Sequence, residues 1–206
     1  MQAFLFFLIN PIHFFVILYM KKIASADVID IYDYERHRDE YQRAYHQAKR
    51  GRVFSLGPSL LVIFHTFHTV LFQLQEFLRS QRVRGEPEIR SYLQTYNALI
   101  PEDGHLRATL QVGFSRKEDI RRLLYLPRQV ANHHLWIQAD SASVTGTPVS
   151  NDKSPVAFVD FSCPDTFIQK LGNESIDLIL RSLLPEYEHS LTLNSEAHQA
   201  MLTDLS

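Results

Sequence analysis

The sequence predicts an α+β fold: a mostly antiparallel sheet with a central αα-hairpin and an N-terminal helix, in a single domain. Three observations carry this. Residues 69–101 hold two helical stripes in succession with a short basic turn between them. From residue 105 onward, short strand patterns follow one another with few helices between, which favours antiparallel pairing. The 206 residues show no internal repeat and no Pro/Ser-rich linker, so one unit is expected over residues 23–206.

Residues 1–22 form an apolar N-terminal segment of different character. The first 19 hold no charge and are dense in Phe, Ile and Leu. Their length suits a marginal membrane-spanning helix, although Asn10, Pro11 and His13 interrupt its centre. No basic stretch precedes the apolar run and no small-residue cleavage site follows it, which argues against a cleaved signal peptide. The sequence favours a misassigned start, with translation from Met20 and a cytoplasmic protein. The alternative is a membrane anchor, with Lys21 and Lys22 holding a cytoplasmic domain at the inner membrane.

The N-terminal helix is expected over residues 30–50. Ile31, Tyr34, Tyr41, Ala44, Tyr45 and Ala48 make one semi-apolar stripe, acidic residues open it, and Lys49 and Arg50 close it. Lys49, Arg50 and Arg52 suit either helix capping or an anion. Residues 53–56 and 60–64 are β-rich runs split by Gly57-Pro58, a hairpin signal. The second run leads through residues 65–69 into the first helix of the pair, expected from about Thr69 to Arg82. Val70, Leu71, Leu74, Phe77 and Leu78 recur on its inner face. Thr69, Phe72, Glu76 and Arg79 fall opposite, with Gln73 and Gln75 on the flanks. Phe72 among polar residues implies that this second face also packs or lines a cleft. The second helix opens near Pro87, carries Ile89, Tyr92, Leu93, Tyr96, Leu99 and Ile100, and is closed by Pro101.

Leu106, Ala108, Leu110 and Val112 alternate as a strand. Ser115 and Glu118 form a capping box for a helix that Pro127 ends. Residues 133–140 read as a strand and residues 141–154 as a polar loop with room for a short strand. Residues 154–162 read as a strand with Val156, Phe158 and Phe161 inward. A short helix follows Cys163-Pro164 and is capped by Gly172. Two strands split by Pro185 and a helix from Ser195 complete the chain.

Composition narrows the function. A net charge of −2 argues against a nucleic-acid partner. One Cys excludes an intramolecular disulfide, a cysteine-only zinc site and an all-cysteine iron–sulfur cluster. The sequence has no P-loop, Gly-rich phosphate loop or GxSxG motif. Two constellations remain. Phe72, Gln73, Glu76 and Arg79 form a polar face suited to docking a partner or binding an anion. His65, His68 and Glu76 make a conceivable two-His-one-carboxylate site for a transition metal: iron, manganese or zinc. His133-His134 and Cys163 are weaker candidates for a ligand pair and a redox thiol.

Several motifs recur in order. Tyr34-Glu35 with Arg38, Arg50 to Val53, Leu56-Gly57, Phe64, Thr69-Val70, Phe72-Gln73, Gln75-Glu76 with Arg79, Tyr96-Asn97, Leu99, Pro101 and Ala108-Thr109-Leu110 resemble a bacterial family of uncharacterised proteins, domain-of-unknown-function family 3501. The resemblance covers residues 27–113 most closely. Where the family pattern has Glu-Asn after the strand phenylalanine, this chain has His65-Thr66. The resemblance implies no established activity. It implies a redox or peroxide-response setting, with rubrerythrin-like or iron–sulfur proteins as partners of a non-enzymatic accessory protein. A metal-dependent enzyme built on the His/Glu set is the alternative.

Overall fold

A computed structural model describes residues 22–113, 123–150, 154–173 and 175–206. The apolar N-terminal segment up to Lys21 and the capping box at Ser115 and Glu118 lie outside the described residues. No described helix is long and apolar enough to cross a membrane.

The described residues form six helices and two antiparallel sheets, an α+β fold as expected. After one 3₁₀ turn at Ser25–Asp27 come α1 (Ile31–Ala48), β1 (Val53–Leu56), β2 (Leu60–Phe64), α2 (Phe67–Gln81), α3 (Glu86–Asn97) and β3 (His105–Val112). Then follow α4 (Leu126–Ala131), β4 (Leu135–Ala139), β5 (Ala142–Thr145), β6 (Thr147–Pro148) and β7 (Ala157–Ser162). The chain ends with α5 (Asp165–Leu171), β8 (Leu178–Leu184), β9 (Tyr187–Thr192) and α6 (Ser195–Leu205). The first sheet runs β1-β2-β3-β7-β6 and the second β5-β4-β8-β9.

Period-two burial builds one core from both sheets. Val62, Phe64, Leu106, Ala108, Leu110, Val159 and Phe161 of the first meet Leu135, Ile137, Leu178 and Leu180 of the second, with Val130, Phe167, Leu171 and Met201 from α4, α5 and α6 closing the ends. The β1–β2 turn locks the sheets together. Tyr187 of β9 donates its hydroxyl to Leu56 O at 2.7 Å and accepts from Ser59 N at 2.9 Å.

A second, smaller core lies in the helical layer. Ile23, Phe67, Val70, Leu74, Leu78 and Ile100 are buried there, with Phe77, Tyr92 and Tyr96 packed against them. Two side-chain amides tie the entering chain to this layer. Gln75 accepts from Ile29 N and donates to Ile29 O, and Asn97 does the same for Ile23, all at 2.7–3.0 Å. α1 then crosses the opposite face of α2, so α2 is sandwiched between α1 and the small core.

Two expectations need correction, the parity of β7 and the start of α2, whereas the polar stretch at residues 141–154 does contain short strands, β5 and β6. Gly146 makes the crossing between the two sheets possible, because a side chain there would run into Val159 and Phe161. In β7 the inward residues are Ala157, Val159 and Phe161. Val156 and Phe158 take the other parity, Phe158 opposite Thr109 of β3. Last, α2 begins at Phe67, two residues before the expected start, because the Thr66 side chain accepts from Thr69 N as N-cap.

Of the basic cluster after α1, Lys49 lies over the Tyr45 ring, and the two arginines pair with the C-terminal helix. Arg50 pairs with Glu196 at 2.7 Å, and Arg52 makes a two-pronged pair with Asp204, both contacts at 2.7 Å. Arg52 and Asp204 side chains are 13% and 8% exposed. Replacing Arg52 with Ala leaves a buried carboxylate alone and is expected to cost about 3 kcal/mol. The double change Arg52→Met with Asp204→Leu is expected to recover most of that loss. Urea midpoints of the two variants check this.

Candidate functional site

The motif residues of α1 and α2 meet at one carboxylate. Tyr34 and Arg38 lie one helical turn apart on α1, with Glu35 beside Tyr34, and face Glu76 and Arg79 of α2, which are three residues apart on one side. Glu76 Oε1 accepts from the Tyr34 hydroxyl at 2.8 Å and from Arg38 Nε at 2.8 Å. Its Oε2 accepts from Arg38 Nη2 at 3.0 Å and from Arg79 Nη2 at 3.1 Å. Arg79 also donates to Glu35 at 3.3 Å. Hydrogen bonds from Arg38 foremost, then Tyr34 and Arg79, hold the Glu76 carboxyl down at about 2 against the opposing effect of burial. Burial and the bond to Glu76 push the Tyr34 hydroxyl up.

Phe72, one turn before Glu76, stacks on Tyr45 of α1 with ring centroids 4.1 Å apart. Gln73 is half-buried beside it. Of the four face residues, Phe72, Glu76 and Arg79 are therefore engaged with α1, and Arg79 also borders open surface. There it lines a depression of about 400 Å³ with Ile31, Tyr32, Glu35, Ser80, Arg82 and Arg84. Arg82 is the left-handed C-cap of α2, with φ 55°. Arg84 lies over the Tyr32 ring at 4.7 Å, and Tyr32 is 62% exposed. Neither Arg82 nor Arg84 has a carboxylate partner among the described residues.

The predicted metal set is not brought together. His65 precedes the N-cap of α2 and is buried against the first sheet, with Nε2 2.6 Å from Thr109 Oγ1. His68 sits in the first turn of α2, its ring edge-on to Phe67. Glu76 lies more than two turns further along the helix, its carboxylate taken by Arg38, Arg79 and Tyr34. Among the described residues, no three His, Cys, Asp or Glu side chains cluster to hold a metal. Cys163 is buried and its thiol is pushed up to about 12 by burial, opposite to the shift a redox thiol needs. His133 takes φ 61° in the turn before β4.

One polar cluster escaped the sequence reading. His105, Arg107 and Thr109 alternate with the buried face of β3 and share its other face. His105 Nδ1 lies 2.7 Å from Asp160, Arg107 donates to the same carboxylate at 2.7 and 3.0 Å, and Arg107 also donates to Ala98 O and Ile100 O after α3. The same alternation that marks the inward residues marks these outward ones, so this signal was present. Asp160 was hidden by the parity error in β7.

The fold and the site define an α+β protein in which a helical layer covers a two-sheet core and presents arginines at one end. The chain belongs to the family described as protein of unknown function, DUF3501, which matches over residues 22–205. Its fold is similar to the crystal structure of a novel protein of unknown function from Burkholderia pseudomallei K96243, with a TM-score of 0.79 and 20% identity over 90% of this chain and 100% of that one. Among curated proteins, none matches.

Two outcomes follow from the electrostatics. Glu76→Gln is expected to cost about 2 kcal/mol at neutral pH. Because the folded Glu76 carboxyl is depressed from 4.5 to about 2, its contribution is present above 4.5. The gap between wild type and variant should therefore close as pH falls from 4.5 toward 2, read from denaturation midpoints. His65 is held down from 6.5 to about 4, first by burial and then by Arg107 and Lys49. The unfolded chain takes up this proton near 6.5 and the folded chain only near 4, so stability falls by about 3 kcal/mol as pH drops through that window. His65→Asn is expected to flatten the slope, and an unchanged slope would refute the assignment.

Proposed function

We propose that this protein is an accessory interaction protein that docks a partner at the open end of its α1–α2 layer. One observation carries the reading: Tyr32 is 62% exposed and stands beside Arg79, Arg82 and Arg84 on the rim of one depression. Tyr and Arg are the residue types that dominate binding energy at protein interfaces. The other predicted face residues act as support. Glu76 fixes the direction of Arg79, and Phe72 holds α1 in register through Tyr45. Rubrerythrin-like and iron–sulfur proteins, which the family resemblance implies in a redox or peroxide-response setting, are the first partners to present.

Exposed Tyr32 and Arg84 can be changed to Ala with little effect on folding, whereas changing Phe72 would disturb the α1–α2 packing itself. Against purified rubrerythrin-like and iron–sulfur proteins, the double variant Tyr32→Ala, Arg84→Ala is expected to bind about 30-fold more weakly than wild type, with unchanged circular dichroism. Equal affinity of the two would rule out this face. No binding by wild type to any of them would rule out that partner class.

A further inference from the structure

We infer that the depression between Tyr32 and the α2–α3 turn binds an oxyanion, a carboxylate or phosphate group, on Arg79, Arg82 and Arg84. The inference rests on the docking reading and names the group that a partner would insert. At this end of the helical layer the guanidinium groups of Arg38, Arg79, Arg82 and Arg84 face two carboxylates, Glu76 and Glu35. Asp33 is paired with Arg36, whereas Asp30, which caps Tyr32 N, and Glu88, close to Gly85, keep their charge outside the lining. Within the lining itself three guanidinium groups, Arg79, Arg82 and Arg84, meet one carboxylate, Glu35, which Arg79 already holds, so the uncompensated charge there is that of Arg82 and Arg84.

The geometry adds direction to the charge. Arg79 cannot turn away, because Glu76 and Glu35 hold it from two sides. Arg84 sits over the Tyr32 ring with its guanidinium carbon 4.7 Å from the ring centroid, and no carboxylate among the described residues takes up its N–H groups. Guanidinium forks match the paired oxygens of carboxylate and phosphate, and such charge-assisted bonds are about twice as strong as neutral ones. The first turn of α1, capped by Asp30, and the last turn of α2 both border the depression, so their opposed dipole ends offset and the field there is that of the arginines. At about 400 Å³ the space is larger than one oxyanion, so it takes the anionic group together with the chain or ring that carries it.

Calorimetric titration of the full chain with inorganic phosphate and, separately, with glutarate tests this, in chloride buffer of fixed ionic strength. Wild type is expected to bind at least one of them, and the Arg82→Gln, Arg84→Gln variant about tenfold or more weakly. Arg128→Gln, which removes a distant half-exposed arginine, should bind as wild type does. Binding of phosphate alone assigns a phosphoryl group, and binding of glutarate alone assigns a carboxylate. Absence of binding at millimolar anion, or binding indifferent to Arg82 and Arg84, overturns the site. If partner capture needs these arginines yet neither anion binds, docking stands and the oxyanion site falls. If an anion binds but capture ignores the arginines, the site stands and docking falls.

Discussion

A single partly buried carboxylate, Glu76, organises the helical half of this protein. Removing it from water carries a desolvation cost of several kcal/mol, which only close partners offset. It has three, Tyr34, Arg38 and Arg79, placing five donor contacts of 2.8–3.3 Å on its two oxygens. Two of the three come from α1, so the carboxylate fixes where α1 crosses α2. Arg38 binds through two nitrogens, which sets rotation as well as distance. Everything at the end of that layer follows from this crossing: the stack of Phe72 on Tyr45, the direction of Arg79, and the approach of Tyr32 to the α2–α3 turn.

The helical layer is thin, and polar bonds do much of the work of joining it to the chain around it. α3 has no fully buried residue, although its Tyr92 packs edge-on to Phe77 with centroids 4.8 Å apart. What hydrophobic area leaves undone, backbone-directed side chains complete. Gln75 and Asn97 each hold one residue of the entering segment by both its N–H and its C=O. Arg107 satisfies two carbonyls after α3 while its charge is met by Asp160 of β7. Arg107 and Asp160 thus connect the sheet to the helices, a joint that apolar contact alone would leave able to slide.

Much of the fold was legible. The amphipathic stripe of α2, the Gly57-Pro58 hairpin, the αα-hairpin and the antiparallel C-terminal strands all follow from periodicity and turn chemistry. Phe72 on a polar face did signal a second packed side. The failures have local causes. A strand of Ala157, Val159 and Phe161 buries a small residue where its bulkier neighbours Val156 and Phe158 suggested the opposite parity. β5 and β6 are short and polar, so the sequence showed no more than a loop with room for a short strand, and Gly146 reads as loop until its contact with Val159 and Phe161 is known. The metal set failed on register. His65 stays with the first sheet before the Thr66 cap, whereas Glu76 lies on the side of α2 that faces α1.

The candidate site was half legible, for a physical reason. The motifs that carry the family resemblance, Tyr34-Glu35 with Arg38 and Gln75-Glu76 with Arg79, converge on one hub, and nearly every polar atom there is already bonded within the chain. A hub so satisfied has little capacity left for a ligand: it specifies architecture. Recognition needs groups whose bonding capacity the fold leaves open, and here those are Arg82 and Arg84, in the turn after the motif ends. Among the motif residues Arg79 and Glu35 belong to both sets, Arg79 bonded inward to Glu76, Glu35 bonded to Arg79, and both lining the depression. Sequence patterns mark residues that a fold requires, whereas open valence becomes visible only once every partner is placed. The family motif therefore points to the helix that carries the site and stops one turn short of it.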